Sequence, residues 1–520
     1  MDPKTSVEWR EPVQMIIDGS QVEVTDQGQS LLDALRDDLG RRGVKDGCSP
    51  QGQCGCCTVL VDGSPRVACV TPLKRIAGRT VTTIEGVDPG VSAAWADALC
   101  ATGGSQCGFC TPGIVVRLAA LRAQTADVSD RRPVERALRA HLCRCTGWQT
   151  ILEAWDHLDD NPAVRDVEAA GRRATIEGRS PQRVGPDIAL GLGGFADDTA
   201  PVDALVGLRT GDGSWVVGES LAEARRAADK VQGRRTTVEA VAPLAVPGGN
   251  WDATLRTSWV EPAYLETDAT WCEPGGIPAS SLANGGAFGA KLNDGLGAVA
   301  RELADRHGRA VRVLWSREDA VRLGAKRPPL AGGARRDGTG EIVVARTAGI
   351  AEAIARVAPQ FSVTEVDVAG TPTSSSIRAA GWAEAVALLA GAAALVDPIQ
   401  APEGGSGEAA IVDGSIRVRV AAGDPLDEVV LRAYAIGAAH MAYSWVTSES
   451  LAVDDAGEVH DLTVRSFGVR QAAETPPIHV EIDPTPGPPV NGSDAVFAAV
   501  AAAVWCHQGC PPIWPTRQAL

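Results

Sequence analysis

Of the 13 cysteines in this 520-residue chain, eight fall into two quartets near its beginning, and that grouping limits the fold more than any other feature. The first quartet is Cys48, Cys54, Cys57 and Cys69, within GCSPQGQCGCCTVLVDGSPRVAC. The second is Cys107, Cys110, Cys143 and Cys145, within QCGFC and LCRCTGW. Two separate thiolate cages on one short segment are what a pair of iron–sulfur clusters requires, and clusters in series move single electrons.

The spacing Cys48-x5-Cys54-x2-Cys57-x11-Cys69 is close to the plant-type [2Fe–2S] pattern, C-x4-C-x2-C with a distant fourth cysteine, but one residue longer in the first gap. Around it, VQMIIDGSQVEV (13–24) alternates apolar and polar residues about Asp18-Gly19, a type I′ hairpin signal. SLLDALRDDLG (30–40) has helical spacing, with Ser30 as N-cap and Gly40 as terminator. TVLVDG and RVACV form a second hairpin turning at Asp62-Gly63. Gly47, Gly52 and Gly55 let the backbone wrap tightly, so that N–H groups point at the sulfurs and tune the reduction potential. Cys56 stands too close to Cys57 to ligate the same cluster and reads as a packed bystander. A four-cysteine zinc site is the competing reading, although such sites tend to repeat CxxC twice, whereas here one CxxC is flanked by two distant single cysteines.

From about residue 90 the strand signal disappears. VSAAWADALCA, TPGIVVRLAALRAQ, RPVERALRAHL and WQTILEAWDHL each place apolar residues at i, i+3, i+4 and i+7, which predicts four short helices. Cys107 and Cys110 precede one of them, with Pro112 in its first turn, and Cys143 and Cys145 precede another. Two helix N-termini would then face an anionic cluster. The spacing Cys107-x2-Cys110-x32-Cys143-x-Cys145 is unusual for zinc, because a CxC pair crowds one tetrahedral ion. Cys100 reads as a buried helix residue.

The length predicts three or four domains, and 44% hydrophobic with 22% charged residues describes a globular chain. A net charge of −16 argues against nucleic-acid or anionic-membrane partners. MDPKTSVEWREP has no apolar signal region, and the longest apolar run, roughly Ala385–Val396, is too short to span a membrane. A cytoplasmic chain with reduced cysteines is expected, in which clustered thiols bind metal.

GQCGCCTVLVDG followed by QCGFCTPG and LCRCTGW resembles the iron–sulfur subunit of the xanthine dehydrogenase family of molybdenum hydroxylases, over roughly residues 10–160. The resemblance implies that the helical-domain cluster lies near a molybdopterin, with Gln106 and Cys107 against the pterin. The ferredoxin-like cluster would pass electrons onward to a flavin. For Gln106 the plainer reading is a loop-satisfying amide.

Three later segments resemble the molybdenum-binding subunit of the same family: NGGAFGAK (284–291), SIRAAGWAEA (376–385) and IGAAHMAYSWVTSESLAVDDAGEVHDLTVRSFGV (436–469). They imply that Gly285, Gly286, Phe288, Gly289, Arg378 and Gly381 face the cofactor; a plain tight turn is the alternative for the glycine loop. LVGLRTGDGSWVVGESLAEARRAADKVQG reads strand, turn, strand, helix, and resembles the small α/β domain that opens that subunit. The departures are substantial. The region from 186 to 520 is short for such a subunit, and a glutamine-bearing segment is missing before the glycine loop. Ala287 and Ala290 stand where glycines are usual, and PTPGPPVNGSDAVF (484–497) carries no glutamate at the place of the general base. Glu481 and Asp494 lie near that place without aligning to it, so no catalytic residue is assigned. His440 reads as a satisfied core histidine; Cys272, Cys506 and Cys510 as structural; residues 494–505 as a packing helix; and Asp454-Asp455 with Gly457 as a turn.

The expected architecture is α+β and multidomain: a β-grasp plant-type ferredoxin domain (10–88), a four-helix [2Fe–2S] domain (89–160), a charged linker (161–187), a small hammerhead-like α/β domain (188–245) and an abbreviated α/β molybdopterin-binding-like region (246–520). The resemblance implies an oxidoreductase component that passes electrons from a molybdopterin centre through two [2Fe–2S] clusters to an acceptor. Molybdopterin would lie at an interface with a large subunit. FAD would sit on a partner, since no G-x-G-x-x-G follows a strand. Two other readings stand beside it: a self-sufficient compact hydroxylase, and a cluster carrier whose C-terminal part is a docking scaffold. The substrate of the complex would be a small molecule.

Overall fold

The structure, a computed structural model, describes residues 12–125, 127–160, 165–229, 238–280, 285–291, 295–395 and 397–520. Pro12–Ile17 and Ser20–Thr25 pair antiparallel, and Asp18 (φ 52°) and Gly19 (φ 81°) take the left-handed dihedrals of a type I′ turn. Asp62 and Gly63 do the same between Thr58–Val61 and Ser64–Val67. Thr80–Thr82 runs parallel to the first strand and antiparallel to Thr58–Val61, which joins the hairpins into one five-stranded sheet. Ser30 caps a helical turn, Leu31–Asp33 continued by Ala34–Asp38, through a capping box with Asp33. Its Leu31, Leu32, Ala34 and Leu35 are buried in the core beneath that sheet, as in a β-grasp domain.

Four helices follow, Pro89–Thr102, Thr111–Arg122, Arg132–Leu138 and Gln149–Asp156, around the buried rings of Trp95, Trp148 and Trp155. The segment expected as a linker is partly a packed element: Val167–Gly178 is a helix, and its Arg173 and Glu177 are fully buried. Arg173 donates to the carbonyls of Pro425 and Val490, and Glu177 accepts from the backbone N–H groups of Gly492 and Ser493. Charge in that stretch suggested solvation because its partners lie more than two hundred residues away.

The boundary expected at residue 245 also shifts. Leu205–Arg209, Trp215–Gly218 and the helix Leu221–Ala227 form in the order expected. Their sheet is completed by Val311–Leu314, parallel to Leu205–Arg209, and by Ala269–Cys272. Pairing at that separation leaves no trace in local pattern. An ion network ties this sheet to the ferredoxin-like domain: Arg36 pairs with Asp197 and Asp198, Arg312 with Asp37 and Asp197, and Arg225 with Asp33 and Asp46. Burial alone would raise the Asp197 carboxyl, but Arg312 and Arg36 hold it well below its usual range.

The last half adds two sheets. One orders Phe361–Val366, Gly340–Ala345, Leu330–Ala334, Ala253–Thr257 and Ile513–Trp514; the other orders Ile399–Gln400, Ser406–Val412, Ser415–Ala421 and Ile478–Ile482. The helices Trp382–Gly391 and Glu428–Thr447 pack against the alanine-rich helix Ser493–His507. One continuous apolar core runs from Val13 to Trp514 through both halves. Among the described residues no helix is long and apolar enough to cross a membrane.

Candidate metal centres

The first cysteine loop closes around its own sulfurs. Cys48 shares sulfur–sulfur hydrogen bonds with Cys54 and Cys69, and Cys69 shares one with Cys57. The backbone N–H of Gln51 points at the Cys48 Sγ (3.0 Å) and that of Cys69 at the Cys57 Sγ (3.5 Å), the donor arrangement that stabilises an anionic sulfur. Gly52 and Gly55 take left-handed dihedrals, φ 70° and 72°. Gly47 is different: a Cβ there would lie 3.1 Å from the sulfurs of both Cys54 and Cys56, so the position needs space rather than an unusual dihedral. Cys56 is fully buried behind the loop.

The second quartet gathers from two loops. Cys107 and Cys145 are 3.5 Å apart, sulfur to sulfur, and Cys110 hydrogen-bonds Cys143. Cys110 is the N-cap residue of the helix Thr111–Arg122, so the positive end of that helix faces the sulfurs. Thr146 Oγ1 lies 3.1 Å from Cys143 Sγ. All eight thiols are at most 5% exposed, so water is excluded from both cages. Among the described residues no three such side chains close on a single-ion position. In the second quartet the sulfurs meet in two pairs, Cys107 with Cys145 and Cys110 with Cys143, which suits a two-iron core with two thiolates per iron.

The two cages are neighbours. The Leu142 N–H donates to the Cys54 carbonyl (2.9 Å), joining the residue before Cys143 to a member of the first quartet. A Cβ on Gly113, in the second helix, would stand 2.5 Å from the Gly55 carbonyl. His141 lies buried against Gly55; burial, with Arg117 and Arg465 nearby, lowers it to about 3 and keeps it neutral.

The C-terminal half seals both loops. Arg317, fully buried, donates to the carbonyls of Gly47, Tyr264 and Leu265. Gln51 bonds Glu318, the Leu462 carbonyl and the Val464 N–H. Arg144, between Cys143 and Cys145, forms a two-pronged bond with Glu449 (2.6 and 2.9 Å) and donates to the Pro262 carbonyl. A Cβ on Gly437, in the helix Glu428–Thr447, would overlap the Cys145 carbonyl at 1.9 Å. Sequence reasoning passed over Arg144, Arg317 and Glu449. The position of Arg144 inside CRC was the available signal.

Residues expected to face a pterin do converge, but onto one another. Gln106 Nε2 donates to the Ala433 carbonyl (3.1 Å), while its own side-chain oxygen has no partner among the described residues. Asn284 lies outside the described residues. Gly285 abuts Glu266, Gly286 abuts the Cys145 sulfur (2.7 Å to a built Cβ), Gly289 abuts the Ser376 carbonyl and Gly381 abuts Ile350. The glycines thus admit neighbouring protein. Arg378 lies over the Phe288 ring (4.0 Å) and bonds Asp494 (3.1 Å) and Ser493. Arg327 pairs with Glu384, Lys326 with Glu261 and Lys291 with Glu266, all buried. Burial pushes the Glu266 carboxyl up to about 7 against the pull of Lys291.

Between Phe288, Arg378, Trp445 and Glu449 a cavity of only about 20 Å³ is left. That holds roughly one water, whereas a cofactor pocket needs about 300–1,000 Å³. A cavity of about 430 Å³ has Asp494 in its wall, with Glu352 and Glu403 set against Arg179 and Arg356. Three carboxylates to two guanidiniums make it a poor seat for a phosphate-bearing group. The cleft around Phe288 and Arg378, where the sequence placed the pterin, therefore has no room for a molybdopterin between these residues. Glu481 is exposed on the strand Ile478–Ile482 and pairs with Arg419, outside the cleft.

Comparison with known proteins agrees with the division into two cages. Residues 15–75 match the model described as 2Fe-2S iron-sulfur cluster binding domain, and residues 83–156 match [2Fe-2S] binding domain. The chain is 46% identical over 128 residues to an aldehyde oxidoreductase of Megalodesulfovibrio gigas, a match covering 24% of this chain and 14% of that one. It is 36% identical over 146 residues to a probable xanthine dehydrogenase subunit of Bacillus subtilis, covering 28% of this chain and 83% of the relative. The crystal structure of an aldehyde oxidoreductase from Desulfovibrio desulfuricans superposes with a TM-score of 0.66 over 95% of this chain and 97% of its own, at 14% identity, a likeness of fold.

Proposed function

Because the chain belongs to the xanthine dehydrogenase family through its iron–sulfur portion, we propose that it is the electron-transfer component of a molybdenum hydroxylase of that type. Cys48, Cys54, Cys57 and Cys69 would hold one [2Fe–2S] cluster, and Cys107, Cys110, Cys143 and Cys145 the other. Each cluster supplies one reversible unit of charge. The observation that carries the reading is the gathering of eight buried sulfurs into two adjacent cages joined by the Leu142–Cys54 backbone hydrogen bond.

The chain's own residues hold, insulate and tune. Buried thiolates fix the ligand geometry, so little reorganises when charge changes. The Gln51 and Cys69 N–H groups donate to sulfur and favour the more negative state. Arg317 brings guanidinium charge to the first loop, where it acts in the same direction. Electrons would enter from a molybdopterin on a large partner subunit, cross the helical-domain cage to the ferredoxin-like cage, and leave to a flavin or other acceptor on a partner. Pairing of Arg378, Arg327 and Arg144 with internal carboxylates favours a C-terminal half that encases the cages over a self-sufficient hydroxylase.

Metal analysis with EPR tests this. Protein purified from a host that makes the molybdenum cofactor is expected to hold about four irons per chain, two distinguishable [2Fe–2S] signals, and molybdenum only when a longer subunit copurifies. Stoichiometric molybdenum on the isolated chain would overturn the division of labour. A colourless zinc protein would overturn the ligand assignment.

A further inference from the structure

Two cysteines far from both cages meet at the end of the chain. Cys506 occupies the last turn of the helix Ser493–His507. Gly509 (φ 77°) and Cys510 (φ 55°) then reverse the backbone, with Gly509 N–H donating to the Cys506 carbonyl and Cys510 N–H to the Trp505 carbonyl. The reversal brings the Cys510 and Cys506 sulfurs to 3.8 Å, both partly exposed. Read as scattered residues in CHQGC, they are in fact a contacting dithiol, and the iron–sulfur reading gives them no role.

We propose that Cys506 and Cys510 form a reversible disulfide, made by exchange with a small-molecule disulfide of the glutathione class, that fixes the C-terminal segment against the protein. Forming the bond requires the sulfurs to close from 3.8 Å to about 2.05 Å. Cys510 is the attacking group: its sulfur–sulfur contact with Cys506 lowers the thiol to about 7, while the same contact and burial raise Cys506. The Cys510 thiolate bonds to one sulfur of the small disulfide, whose other half leaves as a thiolate. Cys506 then loses its proton and displaces the second half. Two electrons and two protons pass from the dithiol to two small thiols.

The segment beyond the pair gives the bond its effect. Pro511 accepts from the Trp505 indole N–H, Ile513–Trp514 adds a strand beside Ala253–Thr257, and the N–H groups of Thr516 and Arg517 donate to the carbonyls of Val446 and Thr447. The Trp514 ring stands 4.6 Å from Trp445, which carries the Arg327 guanidinium over its own face at 4.1 Å in the closed cleft. A covalent clamp at residue 510 pins the root of that strand.

The test uses the full chain with its clusters, kept anaerobic, in buffers of oxidised and reduced glutathione, followed by acid quench, alkylation and mass spectrometry. Cys506 and Cys510 are the only cysteines in the tryptic segment Gln471–Arg517. The wild-type segment is expected to become two hydrogens lighter and unalkylated as the buffer is oxidised. Cys506→Ser should instead hold one glutathione on Cys510. Native trypsin cleavage after Arg517 should slow at least threefold in the oxidised wild type. Two alkylated thiols at every buffer ratio, a persistent glutathione adduct on the wild type, or equal cleavage in both states would overturn the proposal.

Discussion

Replacing Glu449 by alanine leaves the Arg144 guanidinium in a site where it is 4% exposed, with the Pro262 carbonyl as its remaining acceptor among the described residues. The intact pair makes two charge-assisted bonds of 2.6 and 2.9 Å. At an effective dielectric near 20, charges about 4 Å apart attract by roughly 4 kcal/mol. Stranding one buried partner costs about 3–5 kcal/mol. Glu449→Ala and Arg144→Ala are each expected to lose about 4 kcal/mol, a large share of the roughly 5–15 kcal/mol that holds a typical protein folded. The double variant should lose little more than either single one, giving a coupling of about 3 kcal/mol in a double-mutant cycle. Urea unfolding, followed by tryptophan emission and by cluster absorbance, measures it. Arg144→Met with Glu449→Leu should return to within about 1 kcal/mol of wild type, because the desolvation cost leaves with the charges. A coupling below about 0.5 kcal/mol would refute the claim that this bond locks the cluster-bearing half to the C-terminal half.

Other outcomes follow from the same geometry. Cys110→Ser is expected to abolish one of two [2Fe–2S] EPR signals and halve the iron; unchanged spectra would reject the assignment of the second cage. Gly286→Ala places a Cβ 2.7 Å from the Cys145 sulfur at φ 78°, and should remove the same signal. Gly414→Ala, at a hairpin turn with φ 72° and open space, should cost only about 1 kcal/mol and leave iron content unchanged. His440 is held neutral, near 3, by burial and by the charge of Arg144, so below its unfolded value of about 6.5 the unfolded chain binds the extra proton. Its contribution is therefore full above pH 6.5 and is lost as pH falls toward 3, at up to about 1.4 kcal/mol per unit. His440→Gln should flatten the pH dependence of the unfolding free energy between pH 5 and 6.5 by about that slope; an unchanged slope would show that His440 is not the group responsible.

The N-terminal third was legible because its determinants are local. Asp18-Gly19, Asp62-Gly63, the Ser30 cap and the cysteine spacings each act within a few residues. The C-terminal half was legible in its elements and less so in their company. NGGAFGAK and SIRAAGWAEA do approach one another, at Gly289 and Ser376, but what each glycine meets depends on residues such as Glu266 and Ile350 that no local pattern ties to it. Asp494 stands out in the sequence only as a carboxylate misaligned for a base. Its use as the partner of Arg378 required knowing that two segments more than a hundred residues apart meet in a buried cleft. The helix Val167–Gly178 was hidden for a related reason, since its Arg173 is satisfied by the carbonyls of Pro425 and Val490 and its Glu177 by the N–H groups of Gly492 and Ser493.

The bonds from Gln51 to the Leu462 carbonyl and the Val464 N–H span 411 and 413 residues. A ribosome adding 5–20 residues per second makes the first cysteine loop about 20–80 s before its outer cover exists. During that interval the thiols stand open to iron donors; afterwards they lie under a wall of buried arginines. On the proposed function, synthesis would then impose an order on maturation, loading first and sealing second, and a chain that closed early would trap its thiols empty.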